Sequence, residues 1–139
     1  NVRIEGGTFN CGIVSGGYLA CGVFVAQCGN WDIVGGTFNM MSDKATAFVV
    51  RSGNVNIDLD NVTVNMNASA SDSIGKVGDS TFVKSGHVVA AYYTSGAYGF
   101  TEDSTSLIIN GESKISSENV LNYVGTNSAV QVNVCYYDN

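Results

Sequence analysis

Positive charge, leucine and histidine are scarce in this sequence, and proline is absent. Six Lys and Arg stand against twelve Asp and Glu, a formal net charge of −6, so the basic footprint of a nucleic-acid binder is missing. Charged residues of both signs make up only 13% of the chain, about half the usual share. Four Leu are outnumbered by 19 Val and 8 Ile; with 17 Gly, 15 Asn and 9 Thr, this composition disfavours a helical bundle. One His, and four cysteines with no Cys-x-x-Cys pair, argue against a structural zinc site, and nothing implies a cofactor. Residues 6–31 carry no charge, yet Gly6, Gly7, Asn10, Ser15, Gln27 and Asn30 interrupt them too often for a membrane-spanning helix. A hydrophobic content of 45% is too high for a disordered tail, and 139 residues suit one domain, 1–139. The sequence opens at Asn1 in mid-pattern with no leader, which reads as a mature product or a piece of something longer.

What is present is a repeat. Residues 1–10 read Asn-Val-Arg-Ile-Glu-Gly-Gly-Thr-Phe-Asn and residues 30–39 read Asn-Trp-Asp-Ile-Val-Gly-Gly-Thr-Phe-Asn, identical at seven of ten positions. A third copy starts at Asn54 (Asn-Val-Asn-Ile-Asp-Leu-Asp), and weaker ones surround Leu107–Ile109 and Val130–Val132. Within each copy the period is two, with Val2 and Ile4 inward and Arg3 and Glu5 outward. Short alternating strands that recur every ~20–30 residues predict a β-solenoid of about five rungs spaced ~4.8 Å apart. Equivalent residues should then stack: Phe24, Phe48, Phe82, Phe100 and Tyr123 in an aromatic column, and Ile4, Ile33, Ile57, Ile109 and Val132 in an aliphatic one. The Gly-Asn pairs at 29–30 and 53–54 suit tight bends, with His87 in the same column. Residues near 65–80 lack a strand pattern after Met66 and are expected to protrude as a loop. The alternative fold is an antiparallel β-sandwich, whose strands need not resemble one another.

The segments at 2–10 and 31–39, with their shared Ile-x-Gly-Gly-Thr-Phe-Asn, resemble rungs of right-handed parallel β-helix proteins. That group includes pectate-lyase-like enzymes, phage tailspikes and bacterial surface adhesins with Gly-Gly-Thr-Phe repeats. The resemblance covers roughly residues 1–65 well and 82–134 loosely. It implies the architecture more than a function, because the same fold hosts binders, enzymes and inert stalks.

Several residues are candidates for chemistry. Asp32, Asp58 and Asp60 point outward on neighbouring rungs, with Asp32 and Asp58 expected ~8 Å apart, a spacing that inverting glycosidases use. The resemblance implies that such a face can hold carbohydrate or Ca²⁺. Against catalysis, half of any exposed strand is polar, and no second cation sits beside Arg3. Cys11, Cys21 and Cys28 are disulfide candidates, whereas Cys135 lies about four rungs away, on the order of 19 Å, beyond the ~7 Å that a disulfide spans. The alternative is four buried thiols acting as apolar filler. Asn61 and Asn67 each open an N-glycosylation triplet, Asn67 being favoured by its place at the start of the loop. Trp31 is assigned to the core, while Tyr92, Tyr93, Tyr98, Tyr136 and Tyr137 could stack on sugar rings.

The sequence is therefore read as an extracellular or surface-exposed structural and adhesive protein: part of a stalk, an adhesin or a self-assembling filament, and not an enzyme. Val2 and Ile4 at one end and Val130 and Val132 at the other present like edges, which favours head-to-tail association with further copies. Glycans are a second partner class; nucleic acid and membrane insertion are not expected. The competing function is a carbohydrate-binding or polysaccharide-processing β-helix of lyase or tailspike type.

Overall fold

The computed structural model describes residues 1–12, 18–26, 29–51, 54–68, 74–77, 81–92, 106–111, 113–115, 121–124, 129–132 and 136–137. Apolar–polar alternation becomes strand, as in Asn54–Asp60, where Val55, Ile57 and Leu59 are buried and the residues between them are not. The described residues form sixteen strands and no helix; none is therefore long and apolar enough to cross a membrane as a helix. The chain is all-β, built mainly from parallel sheets.

Three sheets carry the architecture. The first joins β1 (Val2–Glu5), β4 (Asn30–Val34), β7 (Asn54–Asp60), β12 (Ser106–Asn110) and β15 (Ala129–Val132) in that spatial order. The second joins β2 (Thr8–Cys11), β5 (Thr37–Met40), β8 (Thr63–Met66), β13 (Lys114–Ile115) and β16 (Tyr136–Tyr137). The third joins β3 (Ala20–Ala26), β6 (Ala45–Arg51), β11 (Val89–Tyr92) and β14 (Leu121–Val124). Every pairing within these sheets is parallel. The chain visits the first, second and third sheets in the same sequence four times, adding one strand to each, and a fifth pass adds β15 and β16 to the first two. The antiparallel sandwich is overturned by this pairing.

The bend between the first and second sheets sets the register. Gly6 and Gly35 have φ of 76° and 72°, and Asn61 takes the same place at 55°. This left-handed region strains most side chains, and Asn is the residue after Gly that tolerates it. Backbone bonds tie the bends together: Gly6 N–H donates to Val34 O (2.9 Å) and Gly35 N–H to Asp60 O (2.8 Å). In the fourth turn Gly111 (φ 107°) leads to a buried Ser113, whose hydroxyl donates to Leu59 O (2.7 Å) and accepts from Val62 N–H (3.2 Å).

The aliphatic column is shifted from its expected composition. Val2 pairs with Trp31, Trp31 with Ile57, Ile57 with Ile109 and Ile109 with Val132, while Ile4 and Ile33 continue into Leu59. With the bends in line, Leu59 occupies the place opposite Ile33, which moves Ile57 back by two residues. A shift of two keeps every side chain on its face. Trp31 is buried as expected, among Val2, Ile33 and Ile57 in the core.

The aromatic column does not form. Phe24 pairs with Val49 and is exposed, whereas Phe48 pairs with Val23 and Val89 and is fully buried. The two differ by one register position, which in a pleated strand is the difference between outside and inside. Tyr123 aligns with Ala91, Phe82 with Lys76, and Phe100 lies outside the described residues. The ring stack lies elsewhere: Phe9 on Phe38, centroids 4.6 Å apart and 10° from parallel, with Phe48 meeting Phe38 edge-on at 5.0 Å.

The segment expected to protrude contains strand. β9 (Ile74–Val77) and β10 (Thr81–Lys84) pair antiparallel and lie against the outer face of the third sheet. Leu19 N–H donates to Lys76 O (3.1 Å), and Val77 and Val83 pack with Leu19, Val49, Ala90 and Tyr92. The third sheet's strands β6 and β11 are thereby buried on both faces, which is why β6 reads Ala-Thr-Ala-Phe-Val-Val without alternation. The short Ile-Gly-Lys-Val run, with one Val and a Gly, gave too little periodicity to mark a strand from sequence.

Two predictions follow from this packing. Ile57→Asp places a charge at a site with no exposure and should abolish cooperative thermal unfolding, whereas Arg3→Ala should cost less than about 1 kcal/mol by denaturant titration. Val83→Ala, in the second strand of the hairpin, should lower stability by roughly 1–3 kcal/mol by the same titration; a change near zero would mean that the hairpin does not cover the sheet.

Candidate functional site

The outward columns of the first two sheets hold the polar chemistry. On the first sheet Arg3 pairs with Asp32, Asp32 with Asp58, and Asp58 with Asn110. Asp32 and Asp58 are thus direct neighbours on adjacent strands, rather than offset by two residues as expected. Arg3 forms an ion pair with Asp32 and a second with Glu5 at 2.6 Å. Asp58 accepts from the side-chain amides of Asn110 (3.2 Å) and Asn56 (3.3 Å). Asp60 sits apart, opposite Val34. Both carboxylates of the close pair are therefore engaged by neighbours, and the third does not join them. Among the described residues no group of three or more His, Cys, Asp or Glu is placed to hold a metal ion.

Asn30 pairs with Asn56 and Asn54 with Ser106, so the two expected bend asparagines do not stack on one another. The stacked asparagines are on the second sheet. Asn10, Asn39 and Asn65 occupy one outward column, with Asn39 Nδ2 donating to Asn10 Oδ1 and Asn65 Nδ2 donating to Asn39 Oδ1, each at 2.8 Å. Two residues earlier on the same strands, Thr8, Thr37 and Thr63 form a parallel row. The signal for both rows was present in the repeated Thr-Phe-Asn and its echo Thr-Val-Asn: with Phe9, Phe38 and Val64 inward, the flanking residues must face out.

Beside the amide column lies an open groove of about 540 Å³. Met40, Met41 and Met66, all three methionines of the chain, line it with Asn67 and the three column asparagines. Met41 is half exposed, and Asn67 Nδ2 donates to its carbonyl at 3.2 Å.

The remaining expected sites are scattered. Cys11 and Cys21 carry free thiols, and Cys28 and Cys135 lie outside the described residues. Burial pushes the Cys21 thiol up to about 11, with Cys11 adding to the shift, and burial also raises Cys11, so neither is a ready nucleophile. Asn61 and Asn67 are both exposed, Asn61 at the left-handed bend. Tyr92 is buried under the hairpin and cannot stack on a sugar; Tyr93 and Tyr98 lie outside the described residues.

His87 does not join the Asn30 and Asn54 column. It follows the bend Ser85-Gly86, is buried, and its Nδ1 lies 3.2 Å from Ser85 O. Burial holds its basicity below the ordinary value of 6.5, outweighing the backbone bonds to Ser85 and Lys84 that act the other way; the nearby Lys84 charge lowers it further. The fold therefore favours the neutral ring and the unfolded chain binds the proton more readily. Its contribution to stability is full above 6.5 and is lost as pH falls through the lowered folded value. Thermal unfolding from about pH 7 to pH 5 should show a falling midpoint that flattens in His87→Gln; equal slopes in the two proteins would rule this out.

No family model, curated protein or solved structure matches the chain.

Proposed function

We propose that this chain is a structural and adhesive β-solenoid, part of an extracellular stalk, adhesin or filament. The observation that carries this reading is the constant order in which the chain visits three parallel sheets, so that each turn offers the next the same edge. Such a stack grows by addition of like turns and derives its stiffness from continuous backbone ladders. β1, β2 and β3 are the outermost strands of their sheets on one side, and β15, β16 and β14 on the other. Val2, Ile4 and Phe9 in the first turn are only half-buried and belong to the same core as Ile33 and Phe38. A second copy laid head to tail would extend that core and pair those strands; like edges meeting in this way do not close, so the product is linear.

The acidic residues support a structural reading over an enzymatic one. Asp32 and Asp58 are spent on Arg3, Asn110 and Asn56, which leaves no free carboxylate pair flanking a cleft among the described residues. The sparse charge and the Asn, Ser and Thr surface suit an exposed, protease-resistant element.

Sedimentation velocity across a wide concentration range tests this. The expected result is concentration-dependent linear association, seen as thin rods by negative-stain electron microscopy. Ile4→Lys, on the outermost strand, should abolish association while the chain, with a lowered thermal midpoint, still unfolds cooperatively. A stable monomer at every concentration would reject the filament.

A further inference from the structure

We infer that the groove between the asparagine column and Met41 is a binding site for a neutral oligosaccharide. This inference rests on the adhesive reading above and supplies its ligand class. Three observations converge on it.

The first is the unused hydrogen-bonding capacity of the column. A carboxamide has two N–H donors and two acceptor lone pairs. Among the described residues, Asn39 commits one donor and one acceptor to its neighbours, which leaves one of each for a ligand; Asn10 keeps both donors and Asn65 both acceptors. The ladder bonds also fix the amide planes, so the orienting cost is met before a ligand arrives. The result is a row of mixed donor–acceptor groups at the strand spacing of ~4.8 Å. Hydroxyl groups, each donor and acceptor at once, match such a row in either direction. A peptide backbone does so less well, and it cannot add as a strand here because the row lies on a sheet face rather than an edge.

The second is the sign of the lining, which contains no charged side chain. With a net charge of −6 on the whole chain, a polyanionic ligand would meet repulsion and no counter-charge. The third is the apolar side of the groove. Met41 and Met66 offer adaptable thioether surface next to the amides, suited to the C–H faces of a sugar ring. The volume, about 540 Å³, lies within the range of small-molecule sites. The Thr8, Thr37 and Thr63 row continues the polar face alongside.

The three methionines make the test direct, because each ¹³C-labelled methyl reports from the groove wall. The labelled full chain is titrated with cellohexaose, with mannohexaose and with the anionic hexamer of galacturonic acid, and methyl shifts are followed by NMR. The expected result is a saturable shift of the Met41 and Met66 signals with a neutral hexamer and none with the anionic one. Met41→Ala alters an exposed side chain and should keep the wild-type thermal midpoint, yet weaken binding about tenfold, read at Met66; Asn39→Ala, which removes both ladder bonds, should weaken it at least as much. No shift with either neutral hexamer at millimolar concentration overturns the inference. So does equal response to the anionic hexamer, or wild-type affinity in Met41→Ala. A chain that stays monomeric yet binds sugar overturns the filament alone; one that associates with silent methyl signals overturns the groove alone.

Discussion

Each turn of this chain must land on the one before with the same residues facing inward, and the bend after the first sheet enforces that condition. Gly6, Gly35 and Asn61 turn the backbone through a left-handed conformation at equivalent places, and the bonds from Gly6 to Val34 and from Gly35 to Asp60 lock one bend to the next. Strand pairing on either side then has no freedom to slip by one residue, which would exchange core and surface along a whole strand. The stacked Phe9 and Phe38, the buried Trp31 and the outward asparagine column all follow from that one constraint.

The bend also explains where the repeat can vary. Asn61 replaces glycine because its short side chain tolerates the left-handed region. The fourth turn uses Gly111 and then repairs the bend with the Ser113 hydroxyl, which bridges two backbone groups of the third turn. Among the described residues, a larger variation lies in the passage from second to third sheet, where the third turn accommodates β9 and β10 without disturbing the pairing of β6 with β11.

Much of the first two sheets was legible in the sequence because one face of each strand is buried and the other is wet. Period two survives in Val2–Glu5, Asn30–Val34 and Asn54–Asp60, and inward and outward positions were assigned correctly there. The third sheet was harder for a physical reason: covered on both faces, Ala45–Val50 is buried throughout and has no period to read. Aromatic residues then served as false landmarks, since Phe24 and Phe48 lie one register position apart and Phe82 belongs to the hairpin. The asparagine column was spelled out in the repeated Thr-Phe-Asn itself, whereas the acidic residues that stand out in the sequence lie on the first sheet. Charge is conspicuous in so neutral a chain, whereas an amide becomes informative only when its copies are seen to touch.

The hairpin over the third sheet gives the coil a back. Two of its three flanks present ordered polar rows to the surroundings, and the remaining one is covered by a second layer of strand, β9 and β10, through Val77 and Val83. Neighbouring molecules lying side by side could therefore not pack with equal ease in all directions. A crowded array of such chains would be anisotropic, with the padded flanks turned one way and the hydroxyl- and amide-bearing flanks another.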